Sequence, residues 1–472
     1  MRSRTMSGTT APRAATRGDP GRRPRPFGAV ACALRGARDH PAMLRRSLAA
    51  FAFAAVVAAA PLLRAQDEGQ GFEECTVGVA AGSATADGRP LLWKNRDAQK
   101  PDNVVLAFDD GRAPYLGLCD AGNRDVVWGG ANAAGFCIIN SVSRDLPGGA
   151  TKGPGNGGFM KRALKECVTV DDFEQLLQAT NDNGRRTKAN FGVIDAKGGA
   201  AFFEAAHTTY TRFDAKDARD GLVLRTNHAT TADGDRGKER LAREVALCKQ
   251  PPKGGLTPAF VLGELLRDLQ PPPSAKQGEK GRQDVRETIH RQTTVAALVL
   301  HGVKPGEDGA WTTMWTVLGQ PLFAPAVPLW PAARGVPKLV EGAPKSELCS
   351  AARALADAFY AAEGGGDGVE AGGAGGAGGE GEGGEAEVAG AIRWLRTNGL
   401  QPVREGVMAE EKAAMQRWSE VMAMWQRGGA KPDAAELRRY QELAAERALA
   451  ALRRVRKAAG LVEVGAGAGA GR

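Results

Sequence analysis

From Cys75 onward, short apolar runs broken by Gly, Asp and Pro alternate with amphipathic helical stretches, and this order constrains the fold more than any other feature of the chain. CTVGVAA (75–81) alternates in the manner of a strand and ATADGRP (84–90) supplies a turn. PLLWK, NVVLAF and FCIIN are apolar runs of the length expected for strands in a sheet covered on both faces. A helical block follows in FMKRALKECVTVDDFEQLLQAT (159–180), with a second helix start at Thr169, where the pattern resembles a capping box. NFGVIDAKGGAAFFEA reads as a hairpin around 196–199, and TTYTRF and LVLRTN extend the sheet. Amphipathic helices are expected over 236–248 and 258–269, and a polar, Pro-rich loop over 270–288. TTVAALVLHG and WTTMWTVLG return to strand composition, and PLFAPAVPLWP is an extended run broken by proline. Strands and helices in alternating blocks predict a layered α+β domain rather than a regular βαβ array.

After Pro344 the composition changes. SELCSAARALADAFYAAE reads as a helix, and the Gly/Glu-rich run 363–387 cannot bury a core and is expected to be a linker. Residues 388–460 are Ala-, Glu- and Arg-rich with helical period, the last helix starting at Pro432-Asp433, and 461–472 form a tail. These helices either pack on the main domain or join two copies of the chain into a homo-oligomer; nothing in them carries chemistry.

The chain has 472 residues and a formal charge of +9, but that charge is concentrated at one end. Residues 1–65 hold twelve arginines against Asp19 and Asp39, a surplus of ten that leaves the remainder at −1. A near-neutral body has no electrostatic reason to bind nucleic acid. MLRRSLAAFAFAAVVAAAPLLRAQDEG has the basic start, apolar run and small-residue end of a secretory signal over 43–65, with cleavage near Ala65. The run is short and Ala-rich for a membrane span, so the expectation is a secreted or periplasmic protein with no stable membrane insertion after cleavage, or an anchored one if the signal stays. Residues 1–42 read as a leader or a start placed too early, and 66–74 as a short pro-segment.

Seven cysteines are present, at 32, 75, 119, 137, 167, 248 and 349. A chain with this much apolar sequence does not need a disulfide framework. Cys137 and Cys167 fall in apolar patterns and read as buried thiols, and Cys119 as a core thiol or a resolving partner for Cys75. No His, Cys, Asp or Glu cluster has metal-ligand spacing, and neither GGANAAG nor GPGNGG leads into a phosphate-binding helix. No metal or organic cofactor is expected.

Cys75 stands at the head of the first strand, behind the acidic leader GFEE. A free thiol has a pKa of about 8.5 and needs a base to become a nucleophile. Were the chain cut before Cys75, the new α-amine, with a pKa of about 7.7–8.0, would serve, so that one residue supplies nucleophile and proton acceptor.

CTVGVAAGSATADGRPLLWKNRDAQKPDN resembles the mature amino terminus of N-terminal nucleophile (Ntn) hydrolases, and is most similar to the isopenicillin-N acyltransferase-like family, related to choloylglycine hydrolases and secernin-type dipeptidases. The resemblance implies a four-layer αββα sandwich over 75–345 with a C-terminal helical extension. It implies Cys75 as nucleophile, Asp97 as the carboxylate contacting its amine, and Glu74–Cys75 as the processing site. Asn95 lies in the same motif. WGGANAAGFCIINS (128–141) resembles the strand beside the oxyanion site, implicating Asn140, Ser141 and the backbone N–H near Val142. LRTNHA (224–229) resembles the segment whose asparagine donates to the oxyanion, here Asn227. ERLAREV (239–245) is similar to an arginine-bearing helix of the relatives, implicating Arg243, or Arg240 one turn earlier. Relatives carry arginine where this chain has Lys94, which keeps the charge but loses the bidentate fork. The implied activity is cleavage or transfer of the acyl group of a small-molecule amide or acyl-amino acid through a thioester. The competing readings are a secernin-like dipeptidase with the same nucleophile and a non-catalytic binding protein on the same fold.

Overall fold

The computed structural model describes residues 74–149, 152–273, 280–342, 344–362, 393–428 and 433–461. The expected leader, signal, nearly all of the pro-segment, the Gly/Glu-rich run and nearly all of the tail lie outside the described residues. Two antiparallel sheets form the centre. The first has strand order β10-β1-β2-β12-β13-β14, formed by Leu222–Arg225, Glu74–Ala80, Leu91–Asp97, Thr294–His301, Thr313–Leu318 and Val327–Leu329. The second runs β3 to β9 in chain order: Asn103–Phe108, Tyr115–Asp120, Gly129–Asn132, Cys137–Val142, Ala189–Ile194, Ala200–Ala205 and Tyr210–Asp214.

β1 and β2 pack face to face on β6 and β7. Because one face of each central strand meets the other sheet and the opposite face meets helices, these strands are buried along their whole length, as in ECTVGVA and LLWKNRD. Helices α1 (Asn156–Glu166) and α2 (Val170–Asn181) cover the seven-stranded sheet. Thr169 caps α2 in the expected box: its side chain accepts from the Asp172 N–H while the Asp172 carboxylate accepts from the Thr169 N–H. Helices α3 (Lys238–Cys248) and α4 (Glu347–Asp357) lie on the six-stranded sheet, against β10 and β13. The result is the expected αββα order of layers. Mid-strand Gly78 is required by this packing, since a Cβ there would stand 2.2 Å from the Trp93 ring on β2.

Several local expectations differ from the structure. YLGLCD and GGAN are strands β4 and β5, which the apolar-run reading missed. The 258–269 stretch is a short turn, Pro258–Phe260, continuing as a π-helix over Val261–Leu265. Within 390–400, read as helical, Arg393–Arg396 is a strand (β16), paired with β15 (Tyr360–Ala362) and β11 (Arg282–Gln283) in a small third sheet.

The C-terminal helices α5 (Leu400–Gly428) and α6 (Ala434–Ala458) pack on each other and on the β14 edge of the main domain. The buried Arg267–Glu411 ion pair (2.8 Å) and the Trp330–Trp418 ring contact (4.4 Å between centroids) tie α5 to the domain. Glu411 also accepts the Ala326 N–H at 2.9 Å. All described residues belong to one compact unit, Glu68–Arg472.

Candidate active site

The site begins with strand register. β1 and β2 pair Glu74 with Asp97, Cys75 with Arg96, and Val77 with Lys94. Residues opposite each other in an antiparallel pair share a face. Cys75 therefore shares the inter-sheet face with Arg96 and Lys94, while Glu74, Thr76, Asn95 and Asp97 project toward the helices. Lys94 donates from Nζ to Asn140 Oδ1 (2.7 Å) and to the Trp128 carbonyl (2.9 Å), tying β2 to the opposite sheet. Arg96 pairs with Asp120 at 2.8 Å and lies over the Trp128 ring. Asn95 donates to the carbonyls of Leu266 and Ile289, which fixes the loop beneath the helices.

Asn227 reaches Cys75 from the turn after β10. That turn is held by Ser141, whose hydroxyl donates to the Thr226 carbonyl, and by Asn190, which donates to the carbonyls of Thr226 and His228. Asn227 Oδ1 accepts the Cys75 backbone N–H at 2.9 Å, and its Nδ2 donates to the Val142 carbonyl at 3.0 Å. With Glu74 attached, the acceptor edge of Asn227 thus faces the Cys75 nitrogen, and one N–H of its amide is engaged on β6. The His228 ring bonds the Arg236 carbonyl and anchors the turn.

Arg240 and Arg243 separate cleanly. Gly237, at φ +77°, turns the chain so that α3 starts beneath β1; a Cβ there would meet Arg240 and Thr226 at under 3 Å. Arg240, fully buried, donates to the Cys75 carbonyl (3.0 Å), Thr76 Oγ1 (3.2 Å), Asn227 Oδ1 (3.0 Å) and the Glu74 carboxylate (3.0 Å). Arg243, with 35% of its side chain exposed, forms a two-pronged pair with Asp268 at 2.6 and 3.0 Å. The structure brings Arg240, not Arg243, to Cys75, because the helix turn carries the later arginine past the sheet edge.

Glu74 is legible in the sequence only as one side of the expected processing site, and the charge cluster around it carries no sequence signal. The Glu74 carboxylate is buried among Arg236 (2.7 Å), Arg240 and Arg291. Arg291 sits after the 270–288 loop, in no recognisable motif, and also lies 3.7 Å from Asp97. Burial opposes ionisation of Glu74, yet Arg291, Arg240 and Arg236 together hold its pKa below the ordinary value. Asp97 is fully buried; Thr294 Oγ1 donates to its Oδ1 at 2.7 Å, while Oδ2 has no hydrogen-bond partner. Burial pushes the Asp97 pKa up to about 6, against the pull of Arg291 and Arg240. Further in, Glu244 accepts the Trp93 indole N–H at 2.8 Å, and burial raises its pKa well above the carboxylate range.

All six described cysteines are buried and outside any disulfide among the described residues. Burial pushes Cys119 and Cys167 up to about 12, so neither supplies a thiolate near neutrality. Among the described residues no group of three or more His, Cys, Asp or Glu is arranged to hold a metal ion, and no helix is long and apolar enough to cross a membrane.

The arrangement holds both peptide bonds of Cys75: Asn227 accepts the N–H of the Glu74–Cys75 peptide, and Arg240 donates to the carbonyl of the Cys75–Thr76 peptide.

Residues 86–301 match the family described as acyl-coenzyme A:6-aminopenicillanic acid acyl-transferase, a match that spans β2 to β12 and begins after Cys75. Among solved structures, similar ones include an N-acylethanolamine-hydrolyzing acid amidase ortholog from Caenorhabditis elegans (14% identity, 48% of this chain and 92% of that chain, TM-score 0.35). A variant of conjugated bile acid hydrolase from Clostridium perfringens is similar at 12% identity over 51% of this chain and 89% of that chain, TM-score 0.33. Penicillin V acylase from Agrobacterium tumefaciens is similar at 12% identity over 54% of this chain and 85% of that chain, TM-score 0.31. No curated protein sequence matches the chain.

Proposed function

We propose that this chain, whose residues 86–301 match the acyl-coenzyme A:6-aminopenicillanic acid acyl-transferase family, is an Ntn hydrolase of that kind, an exported, self-processing cysteine amidohydrolase or acyltransferase. The observation that carries the reading is the engagement of both sides of Cys75, its N–H by Asn227 and its carbonyl by Arg240, within a strand that still contains Glu74.

In processing, Cys75 Sγ attacks the Glu74 carbonyl carbon. The carbon–nitrogen bond breaks, the thiol proton passes to the Cys75 nitrogen, and a thioester joins Glu74 to Sγ. Water then adds to that carbonyl and releases the leader as a carboxylic acid. The freed α-amine, with a pKa of about 7.7–8.0, becomes the base for the second reaction. It takes the Sγ proton as the thiolate attacks an amide carbonyl, and returns it to the departing amine. Water or a second amine removes the acyl group.

The unsatisfied Oδ2 of Asp97, opposite Glu74 on the neighbouring strand, is a ready acceptor for the new ammonium. Asn227, once relieved of the peptide N–H, can turn its amide toward the developing oxyanion, where such a donor contributes a factor of about 10²–10³. Export rests on the signal-like stretch 43–65.

The reading is tested with purified, cut protein on N-acyl amides and dipeptides, against Cys75→Ala. It expects Cys75-dependent release of amine from N-acyl amides; turnover of dipeptides alone would favour a dipeptidase, and turnover of neither would count against an enzyme.

A further inference from the structure

The leader's last residue occupies a charge site that the second reaction inherits. Glu74 is more than nine-tenths buried, and its carboxylate is held on one oxygen by Arg236 Nε and on the other by Arg240 and Arg291. Arg240 and Arg291 are themselves buried, and two further carboxylates lie beside them, Asp97 at 3.7 Å and Glu287 at 3.4 Å from Arg291. Three guanidiniums converging on one carboxylate is far more positive charge than a strand end needs. Removing Glu74 takes one carboxylate out of this cluster and vacates the position on which the three guanidiniums converge, a position that another carboxylate can fill.

Resting on the processing described above, we propose that the Arg236–Arg240–Arg291 cluster is a recognition site for a carboxylate carried by the acyl group of the substrate. The geometry of glutamate sets the reach. Its carboxylate is separated from its own carbonyl, the one Cys75 attacks first, by Cα, Cβ and Cγ. An acyl group whose carbonyl takes the place of the Glu74 carbonyl puts a carboxylate into the same cluster when three carbons lie between the two, as in a glutaryl amide. Guanidinium forks suit this task because they bind carboxylates through paired, directed hydrogen bonds. Arg236, half-exposed at the mouth, and Arg291, buried at the base, act here as specificity residues rather than on the reacting atoms.

The test uses the cut chain with glutaryl-4-nitroanilide and its neutral analogue of the same length, pentanoyl-4-nitroanilide. We expect kcat/KM to favour the glutaryl probe by at least about tenfold, as charge-assisted recognition should. In Arg236→Gln, confirmed as cut by intact mass, that preference falls several-fold through KM for the glutaryl probe. Equal or faster cleavage of the pentanoyl probe by the wild type overturns the carboxylate site and leaves the amidohydrolase reading standing. If neither probe is cleaved, calorimetric titration with glutarate and pentanoate decides. Tighter glutarate binding to the cut chain than to uncut Cys75→Ala, where Glu74 still fills the cluster, supports the site while counting against the enzyme. Equal binding overturns the site. A wild-type chain that always retains Glu74 overturns it as well, since the cluster is then never vacated.

Discussion

Asn227 Oδ1 accepts two hydrogen bonds at once, from the Cys75 backbone N–H at 2.9 Å and from the Arg240 guanidinium at 3.0 Å. One amide oxygen thus couples the bond to be cut with the buried arginine that holds the far side of the same residue. Asn227→Ala is predicted to slow cutting before Cys75 several-fold, because it removes the contact that holds the scissile nitrogen. The readout is a time course of intact mass during refolding, with circular dichroism to show that the fold is kept.

The two arginines of ERLAREV give opposite expectations. Arg240→Gln should abolish cutting, and Arg240→Lys should restore little of it, since a single ammonium cannot serve Cys75, Thr76, Asn227 and Glu74 together. Arg243→Gln should cut within about twofold of the wild-type rate. Its partly exposed pair with Asp268 contributes at most about 1 kcal/mol, measured by urea unfolding.

In a Cys75→Ala background, where the leader stays attached, Glu74→Gln is predicted to lower unfolding free energy by about 3–5 kcal/mol. That is the usual cost of removing one partner from a buried ion cluster. Denaturant unfolding at pH 7 checks it, and a loss below about 1 kcal/mol would mean that the cluster is well solvated.

Asp97 supplies a pH dependence whose sign is fixed. Its pKa rises from the ordinary 3.8 to about 6 in the fold, so the folded state holds the proton more tightly than the unfolded chain. The associated stability is fully present below about pH 4 and is lost as pH rises through about 6, a change of about 3 kcal/mol. Asp97→Asn lacks this titration. The stability of the Asn variant relative to Asp97, both carrying Cys75→Ala, should therefore improve steadily between pH 4 and pH 7 by thermal unfolding. A flat or opposite trend would contradict the burial assigned to Asp97.

The buried chemistry explains how far the sequence could be read. CTVGVAA, KNRD and the TNH turn are local signals, and the structure brings Cys75, Asp97 and Asn227 into one small volume. Asn140, Ser141 and Val142 were legible as one strand, but their parts differ: Asn140 holds Lys94, Ser141 holds the 226–228 turn, and the Val142 carbonyl holds Asn227. The choice between Arg240 and Arg243 was not legible, because both fall on one amphipathic helix and only the Gly237 turn decides which meets β1. The pairing of Arg291 with Glu74 was hidden for a different reason. They meet across 217 residues of sequence, and neither lies in a pattern that periodicity can detect. β4 and β5 were missed because Gly117 and the Gly129-Gly130 pair weaken the apolar signal where close strand packing requires glycine.

The measurement that bears most directly on the account is the amino-terminal residue of the purified protein, read by intact mass for wild type and Cys75→Ala side by side. The account predicts a wild-type chain that begins at Cys75 and a variant that retains Glu74. A wild-type chain that keeps Glu74, or a Cys75→Ala chain cut at the same bond, would contradict it.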